Sequence, residues 1–143
     1  MGAAVPMALG LAFARPDRRV LGVTGDGDLM MSVGALATVG VMQPPNLGIL
    51  CVDNGHYGET GYQKGHTSRG VDLAAIARGS GIATTHTVTT EADYAAAAQA
   101  LRRSNGPSFV LLKVSIAEPP RYKRNFDAVE RKAIFRRALL GTR

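Results

Sequence analysis

The sequence predicts an α/β fold, in which a parallel sheet is covered by helices on both faces. Three short apolar runs rich in β-branched residues are typical of buried parallel strands. Segments with helical patterning alternate with these runs along the chain, as they do in α/β domains. The 143 residues suit one domain with a single core.

The first half of the chain alternates helix, strand, helix and strand. Residues 3–14 are rich in Ala and Leu and end before an Arg-Pro-Asp turn, so they predict a helix. Residues 19–24 and 47–52 are apolar runs that predict strands. A helical pattern at 31–42 follows a glycine-rich turn and ends before two consecutive prolines, which a helix rarely continues through.

The second half repeats this alternation with shorter elements. A short helix is predicted at 71–79 and a weaker strand at 83–88. The helix at 90–103 opens with a Thr-x-x-Asp cap and closes at a Ser-Asn-Gly-Pro turn. The third apolar strand is expected at 107–114, and a final helix at 126–140 places Val, Ala and Leu on one stripe.

The segment 54–70, called the glycine loop below, breaks this regular pattern. It is polar and contains five glycines. A long irregular segment inside a compact domain is usually functional. Its chemically active side chains are His56, Tyr57, Glu59, Lys64 and His66.

The charge distribution separates the C-terminus from the rest of the chain. Residues 1–120 hold nine basic and nine acidic residues, whereas residues 121–143 hold eight and two and carry the whole net charge of +6. We therefore expect one α/β domain over 1–120 and a basic C-terminal helix over 121–143. No nucleic-acid motif accompanies the basic segment, so a solvated or subunit-facing helix is preferred to a nucleic-acid arm.

Composition excludes several other classes. No apolar run approaches the roughly 20 residues that span a bilayer, so no membrane segment is expected. Cys51 is the only cysteine, which excludes a disulfide framework and a cysteine-ligated metal or iron–sulfur centre within this chain. We expect Cys51 and the Met30-Met31 pair in the core, and a cytoplasmic protein.

Two polar turns follow the first two predicted strands, and parallel sheets bind ligands at that edge. Gly25-Asp26-Gly27-Asp28 precedes a helix, whose free N–H groups favour an anion. An acidic side chain there would repel an anion unless a divalent cation lay between them, and carboxylate oxygen suits Mg²⁺. Asn54, after the second strand, offers an amide oxygen to the same ion.

These turns resemble the signature of the thiamine diphosphate (ThDP)-dependent enzymes, which runs from Gly-Asp-Gly to an Asn. Here Asn54 lies 28 positions after Asp26, and Met1-Gly2 resembles the end of the family's Gly-Ser-Met-Gly turn. The resemblance implies that Asp26 and Asn54 bind Mg²⁺ through side chains and His56 through its carbonyl. The implied cofactor-binding residues are Met1, Gly25, Asp26, Gly27, Asp28, Asn54, His56, Tyr57 and Gly58.

In this resemblance each residue has a role. The N–H groups of Gly27 and Asp28 would meet the diphosphate, and Met1 would support the bend of the cofactor between its rings. His56 is also a candidate substrate contact, and Lys64, His66 and Arg69 are available as cations for an acidic substrate. Glu59 is expected to be a surface charge.

Within the family the chain looks most like the β-subunits of sulfopyruvate decarboxylase and the phosphonopyruvate decarboxylases. Leu36-Ala37-Thr38, Pro45-Asn46-Leu47 and the glycine loop carry this likeness. It implies a ThDP- and Mg²⁺-dependent 2-oxo acid decarboxylase. The activating glutamate would come from a pyrimidine-binding partner chain in a hetero-oligomer such as α2β2, so the chain would be inactive alone.

Three alternatives stay open at this point. An acetolactate synthase-like carboligase would use the same anchor domain. A 2-oxoacid oxidoreductase subunit shares the Gly-Asp-Gly-Asp turn but usually brings cluster-binding cysteines. A non-catalytic or truncated ThDP-binding module is the third, because the family's domain normally begins some tens of residues earlier, with a further strand.

Overall fold

The computed structural model describes residues 1–117 and 125–141. The helices are α1 (Ala4–Ala14), α2 (Asp26–Met30), α3 (Ala35–Met42), α4 (Leu73–Gly79), α5 (Tyr94–Arg103) and α6 (Ala128–Leu140). The strands are β1 (Val20–Gly25), β2 (Leu47–Asp53), β3 (His56–Tyr57), β4 (Gln63–Lys64), β5 (Thr84–Val88) and β6 (Ser108–Lys113). Short 3-10 turns lie at Gly58–Thr60, Thr67–Arg69 and Glu91–Asp93.

The main sheet confirms the α/β prediction. Its four strands run in the order β1-β2-β6-β5, and each neighbouring pair is parallel. The predicted strand bounds differ from the observed ones by at most one residue at each end. Because β1 and β2 are adjacent and parallel, their carboxyl ends, Gly25 and Asp53, lie at the same edge of the sheet.

The core lies in two layers, one on each face of the sheet. Phe109 and Leu111 of β6 pack in the larger cluster, which also contains buried residues of α1, α3 and α4. Val110, the residue between them, packs in the smaller cluster against Ala97 of α5. This alternation along β6 places helices on both faces, as expected for a parallel sheet.

The second face is covered less completely at β1. Gly22 points towards α1, because a Cβ built there would lie 2.9 Å from the Cβ of Ala8. Its neighbours in the strand therefore point the other way, and Leu21 and Val23 remain 51% and 55% exposed. The apolar edge of the sheet beside the first polar turn is thus open.

The prediction of one helix over residues 31–42 was too simple. A short helix, α2, begins directly at Asp26, and residues 31–34 form a turn before α3. Ala35 and Leu36 donate to carbonyls three residues earlier, Ser32 and Val33, which tightens the backbone between the two helices. The Thr90–Asp93 capping box before α5 is confirmed.

The C-terminal region is described only in part. Residues 118–124, which include the expected boundary after 120, and residues 142–143 lie outside the described residues. Helix α6 is present and none of its residues is buried. Arg15 Nη1 donates a hydrogen bond to the carbonyl of Leu139 at 2.7 Å. None of the helices in the described part of the chain is both long and apolar enough to cross a membrane.

Candidate functional site

A cleft of about 1040 Å³ opens at the carboxyl ends of β1 and β2. All nine residues predicted to bind the cofactor line it: Met1, Gly25, Asp26, Gly27, Asp28, Asn54, His56, Tyr57 and Gly58. The sequence placed them in three separate segments, and the fold brings the segments together. Their individual roles toward a ligand stay predictions.

Asp26 lies at the first turn of this cleft. β1 ends at Gly25 in an extended conformation, and α2 begins at Asp26, so the carboxylate follows the strand directly. Asp26 is buried, and its Oδ2 accepts a hydrogen bond from the Thr67 hydroxyl at 3.0 Å. The first N–H groups of any helix lack an intrahelical acceptor, so the same turn offers donors to an anion.

The charge of Asp26 has no counter-ion within the protein's described residues. None of the ion pairs among residues 1–117 and 125–141 includes Asp26. A buried carboxylate without a paired charge is costly unless a cation compensates it. A bound divalent cation would provide this compensating charge, and the carboxylate oxygens of Asp26 suit such an ion.

The second turn holds Asn54 and His56 in a compact arrangement. Asn54 Oδ1 accepts the N–H of His56 at 2.9 Å, and His56 Nδ1 lies 2.9 Å from the Asn54 carbonyl oxygen. An amide oxygen has two lone pairs, so Asn54 Oδ1 keeps one for a cation. The three residues expected to supply a carboxylate, an amide oxygen and a main-chain carbonyl thus all line the cleft.

Within the described part of the chain, no three or more His, Cys, Asp or Glu side chains come together in a group that could hold a metal ion. The expected set contains only one such side chain, Asp26, because Asn54 and the carbonyl of His56 supply the rest. Mg²⁺ commonly takes few protein ligands and completes its shell with water and phosphate oxygens. The three ligand assignments therefore stay predictions.

Asp53 is a buried carboxylate that sequence reasoning did not single out. Its Oδ2 pairs with Lys113 Nζ at 2.5 Å, and its Oδ1 accepts from the N–H of Gly55 at 3.0 Å and the hydroxyl of Thr67 at 2.7 Å. Asp53 and Lys113 are register partners on β2 and β6. The sequence does place opposite charges at the ends of these two strands. That observation predicts an ion pair only once β2 and β6 are known to be neighbours in the sheet.

Asp28 fastens the N-terminal segment to the first turn. Its Oδ1 accepts the N–H of Gly2 at 2.5 Å and its Oδ2 accepts the Thr24 hydroxyl at 2.6 Å. Hydrogen bonds from Thr24 and Gly2 hold the pKa of Asp28 below its ordinary value, against the opposing effect of partial burial. Gly2 has a φ of +86°, which side chains rarely adopt, and this turn sets Met1 at the mouth of the cleft.

Tyr57 packs on the backbone of the first turn. A Cβ added at Gly27 would lie 2.3 Å from Tyr57 Cε1, so only glycine admits the ring at this distance. The Tyr57 hydroxyl lies 3.5 Å from Nδ1 of His66. The Tyr57 ring therefore brings the two polar turns into direct contact.

One expectation about the rim of the cleft was wrong, and two others can now be described more fully. Met31, expected in the core, is 57% exposed and lines the cleft, because the chain turns between α2 and α3 at this point. Glu59 is exposed, as expected of a surface charge, and it also lines the cleft. Lys64, His66 and Arg69 are exposed and are not among the residues that line it.

Cys51 lies in the core, as expected from its apolar surroundings. It is fully buried in β2, and burial raises the pKa of its thiol to about 12, with the nearby carboxylate of Asp53 acting in the same direction. A thiol with so high a pKa is a poor nucleophile and metal ligand.

Fold and site together define an α/β domain that presents a buried carboxylate and an amide at one sheet edge, where a strand leads directly into a short helix. The family model for the thiamine pyrophosphate enzyme C-terminal TPP binding domain matches residues 1–112. The chain belongs to this family.

Two relatives show where in the family the likeness lies. The chain is 43% identical over 91 residues to sulfopyruvate decarboxylase subunit beta of Methanocaldococcus jannaschii, covering 64% of this chain and 46% of that protein. It is 40% identical over 114 residues to phosphonopyruvate decarboxylase of Streptomyces viridochromogenes, covering 80% of this chain and 28% of that protein. The chain thus spans less than half of the length of either relative.

A solved structure gives the same result for the fold. The thiamine diphosphate-dependent 4-hydroxybenzoylformate decarboxylase of Rhodococcus jostii superposes with a TM-score of 0.71 at 25% identity. The match covers 83% of this chain and 24% of that one. The ThDP-binding fold expected from the two polar turns is confirmed.

Proposed function

We propose that the chain is the ThDP- and Mg²⁺-binding part of a 2-oxo acid decarboxylase similar to sulfopyruvate and phosphonopyruvate decarboxylases. The observation that supports this most strongly is the buried Asp26 carboxylate, which has no ion-pair partner among the described residues and lines the same cleft as the other eight predicted cofactor-binding residues. Asp26 Oδ1, Asn54 Oδ1 and the carbonyl of His56 would hold Mg²⁺. The ion would in turn hold the diphosphate.

ThDP, when bound, supplies the nucleophilic carbon that attacks the 2-oxo acid and stores the electrons left when CO₂ departs. The protein then has to bind and orient the cofactor and to exclude water from it. The N–H groups of Gly27 and Asp28 would bind the diphosphate. Hydrogen bonds from Thr24 and Gly2 hold both oxygens of the Asp28 carboxylate, which fixes the orientation of that side chain in the turn. Met1 and Met31 offer apolar surface at the mouth of the cleft for the cofactor rings.

The activating glutamate is proposed to come from a partner chain that carries the pyrimidine-binding domain. Two observations support a partner. The Methanocaldococcus jannaschii relative is named as a beta subunit. In addition, the acidic side chains Asp26, Asp28 and Glu59 line the cleft, whereas no Lys or Arg in the described part of the chain does, so these residues offer no permanent cation to an acidic substrate. The partner would then supply cations and glutamate together, and we expect a hetero-oligomer such as α2β2.

Helix α6 is proposed to belong to the partner contact rather than to the domain core. None of its residues is buried, and Phe135 and Val129 are more than half exposed. Its basic residues are Arg131, Lys132, Arg136 and Arg137. We place the enzyme in the cytoplasm, where a lone thiol such as Cys51 stays reduced.

Native purification of the tagged chain from its host tests this function. We expect a second chain, a ThDP mass, and conversion of sulfopyruvate or phosphonopyruvate to an aldehyde with release of CO₂. A product with a new carbon–carbon bond would instead identify the acetolactate synthase-like carboligase. A chain isolated without cofactor or partner, and inert toward 2-oxo acids, would favour the non-catalytic module.

A further inference from the structure

One hydroxyl group joins the two buried carboxylates of the site. Thr67 Oγ1 lies 3.0 Å from Asp26 Oδ2 and 2.7 Å from Asp53 Oδ1. The two carboxylates are 4% and 2% exposed, so solvent screens their repulsion weakly. A hydroxyl carries a single proton, which can be donated fully to only one of the two oxygens at a time.

The two carboxylates differ in how their charges are compensated. Asp53 pairs with Lys113 and accepts a further hydrogen bond from the Gly55 N–H. Asp26 has neither of these partners, and among the described residues its carboxylate accepts a hydrogen bond from the Thr67 hydroxyl. Asp53 and Lys113 therefore form a nearly neutral pair. The Thr67 hydroxyl contacts this pair on one side and the uncompensated carboxylate of Asp26 on the other.

The backbone of the glycine loop fixes Thr67 in this position. Gly65 donates to the Gly55 carbonyl at 2.6 Å, which closes the loop on itself just before Thr67. A Cβ built on Gly65 would lie 3.2 Å from Asp26 Oδ2, so the backbone passes close to the carboxylate. Thr67 then begins a 3-10 turn, whose next residue, Ser68, donates back to the Gly65 carbonyl at 2.9 Å.

We propose that Thr67 is a positioning residue for the cation site. Its hydroxyl fixes the rotamer of Asp26 against the Asp53–Lys113 pair and leaves Asp26 Oδ1 facing the cleft. The cation site and the fold of the glycine loop are therefore one unit. The inference rests on the proposed function, because it takes Asp26 as a Mg²⁺ ligand, and it adds a residue that does not itself touch the ion.

The test measures how ThDP binding depends on Mg²⁺ concentration. The chain is purified natively with the chains that accompany it, and retention of ThDP is followed at fixed cofactor as Mg²⁺ is raised. Thr67→Val removes the hydroxyl with little change of volume, and Thr67→Ser keeps it. Thr85→Val is the matched control, since its hydroxyl donates to the Ile82 carbonyl at 2.7 Å, outside the residues that line the cleft.

We expect Thr67→Val to raise the Mg²⁺ concentration for half-maximal ThDP retention about 10- to 100-fold, as removal of residues that orient metal ligands commonly does. Saturating Mg²⁺ should restore retention. Thr67→Ser should lie near the wild type, and Thr85→Val should not shift the titration. If Thr67→Val does not fold, Thr67→Ala serves in its place.

The negative outcomes are distinguishable. If ThDP retention in the wild type requires Mg²⁺ but the folded Thr67→Val titration coincides with it, Thr67 has only a structural role and the inference is overturned while the proposed function stands. A lower melting temperature without a shift in the Mg²⁺ titration leads to the same conclusion. If retention in the wild type does not depend on Mg²⁺, both the inference and the proposed cation site are wrong.

Discussion

Replacing Gly27 by Ala tests the contact between the two polar turns. The added methyl would lie 2.3 Å from Cε1, 2.8 Å from Cδ1 and 3.1 Å from Cζ of the Tyr57 ring. Ordinary carbon contacts need about 3.5 to 4.0 Å, so the ring must move by more than 1 Å. Tyr57 lies on the two-residue strand β3, and its hydroxyl approaches His66 at 3.5 Å, so the ring is only lightly held.

The expected cost follows from that geometry. Overpacking a well-filled site costs typically about 1 to 3 kcal/mol. The clashing atoms belong to a half-buried side chain, so we expect the lower end, about 1 to 2 kcal/mol of unfolding free energy. For a chain of this size that is a fall in melting temperature of about 3–4 °C per kcal/mol.

The assay is thermal and urea unfolding of three variants. Gly10→Ala is the control, since a Cβ there meets nothing within 4 Å and Gly10 lies inside α1. We expect that control to be neutral or stabilising by up to about 1 kcal/mol. Adding Tyr57→Ala to Gly27→Ala should recover part of the loss. A Gly27→Ala protein as stable as the wild type would refute the packing of Tyr57 on the first turn.

Two further predictions concern buried ionisable groups. Lys113→Met should lower the free energy of unfolding by about 1 to 3 kcal/mol, because it leaves Asp53 buried without its cation. A smaller loss of stability in the Asp53→Asn/Lys113→Met double variant would confirm that the two side chains are coupled. Losses from the two single substitutions that simply add up in the double variant would contradict it. Because burial raises the pKa of Cys51 to about 12 from an ordinary 9.0, the unfolded thiol ionises first. Its contribution to stability is therefore complete below pH 9.0 and is lost progressively towards pH 12, a dependence that Cys51→Ala should lack in urea unfolding across that range; equal pH dependence in both proteins would contradict the buried thiol.

The strands were predictable because a strand that is buried on both sides has a continuous run of apolar residues, which is visible in the local sequence. Residues 47–52 are apolar at nearly every position, and such a run has few alternatives to a central parallel strand. The order of the strands in the sheet leaves no comparable pattern in the local sequence. β6 lies between β2 and β5, and nothing in its sequence says which neighbours it takes.

The positions of the two side chains expected to bind the metal were predictable for a different reason. Asp26 and Asn54 each follow a strand directly, so the parallel sheet alone brings them to one edge. Thr67 reaches the same place through a loop of many residues, and Lys113 through the strand order. Contacts that depend on the path of a loop or on tertiary pairing are not encoded in local sequence patterns.

Exposure at the cleft was the least predictable property. Met31 looked like core because methionine is apolar, yet the cleft leaves it open beside Met1 and Val23. A binding site for a large organic cofactor needs exposed apolar surface, so hydrophobicity alone gives the wrong answer at such a place.

The measurement that tests the central claim most directly is ThDP binding by the natively purified protein with and without Mg²⁺, compared between the wild type and Asp26→Asn. The Asn side chain keeps the shape and removes the charge, and Asp17→Asn serves as the control on an exposed carboxylate paired with Arg15. The account predicts binding that requires Mg²⁺ in the wild type and in Asp17→Asn and is lost in Asp26→Asn. Equal Mg²⁺-dependent affinity in the wild type and Asp26→Asn would contradict the assignment of this cleft as the cofactor's anchor.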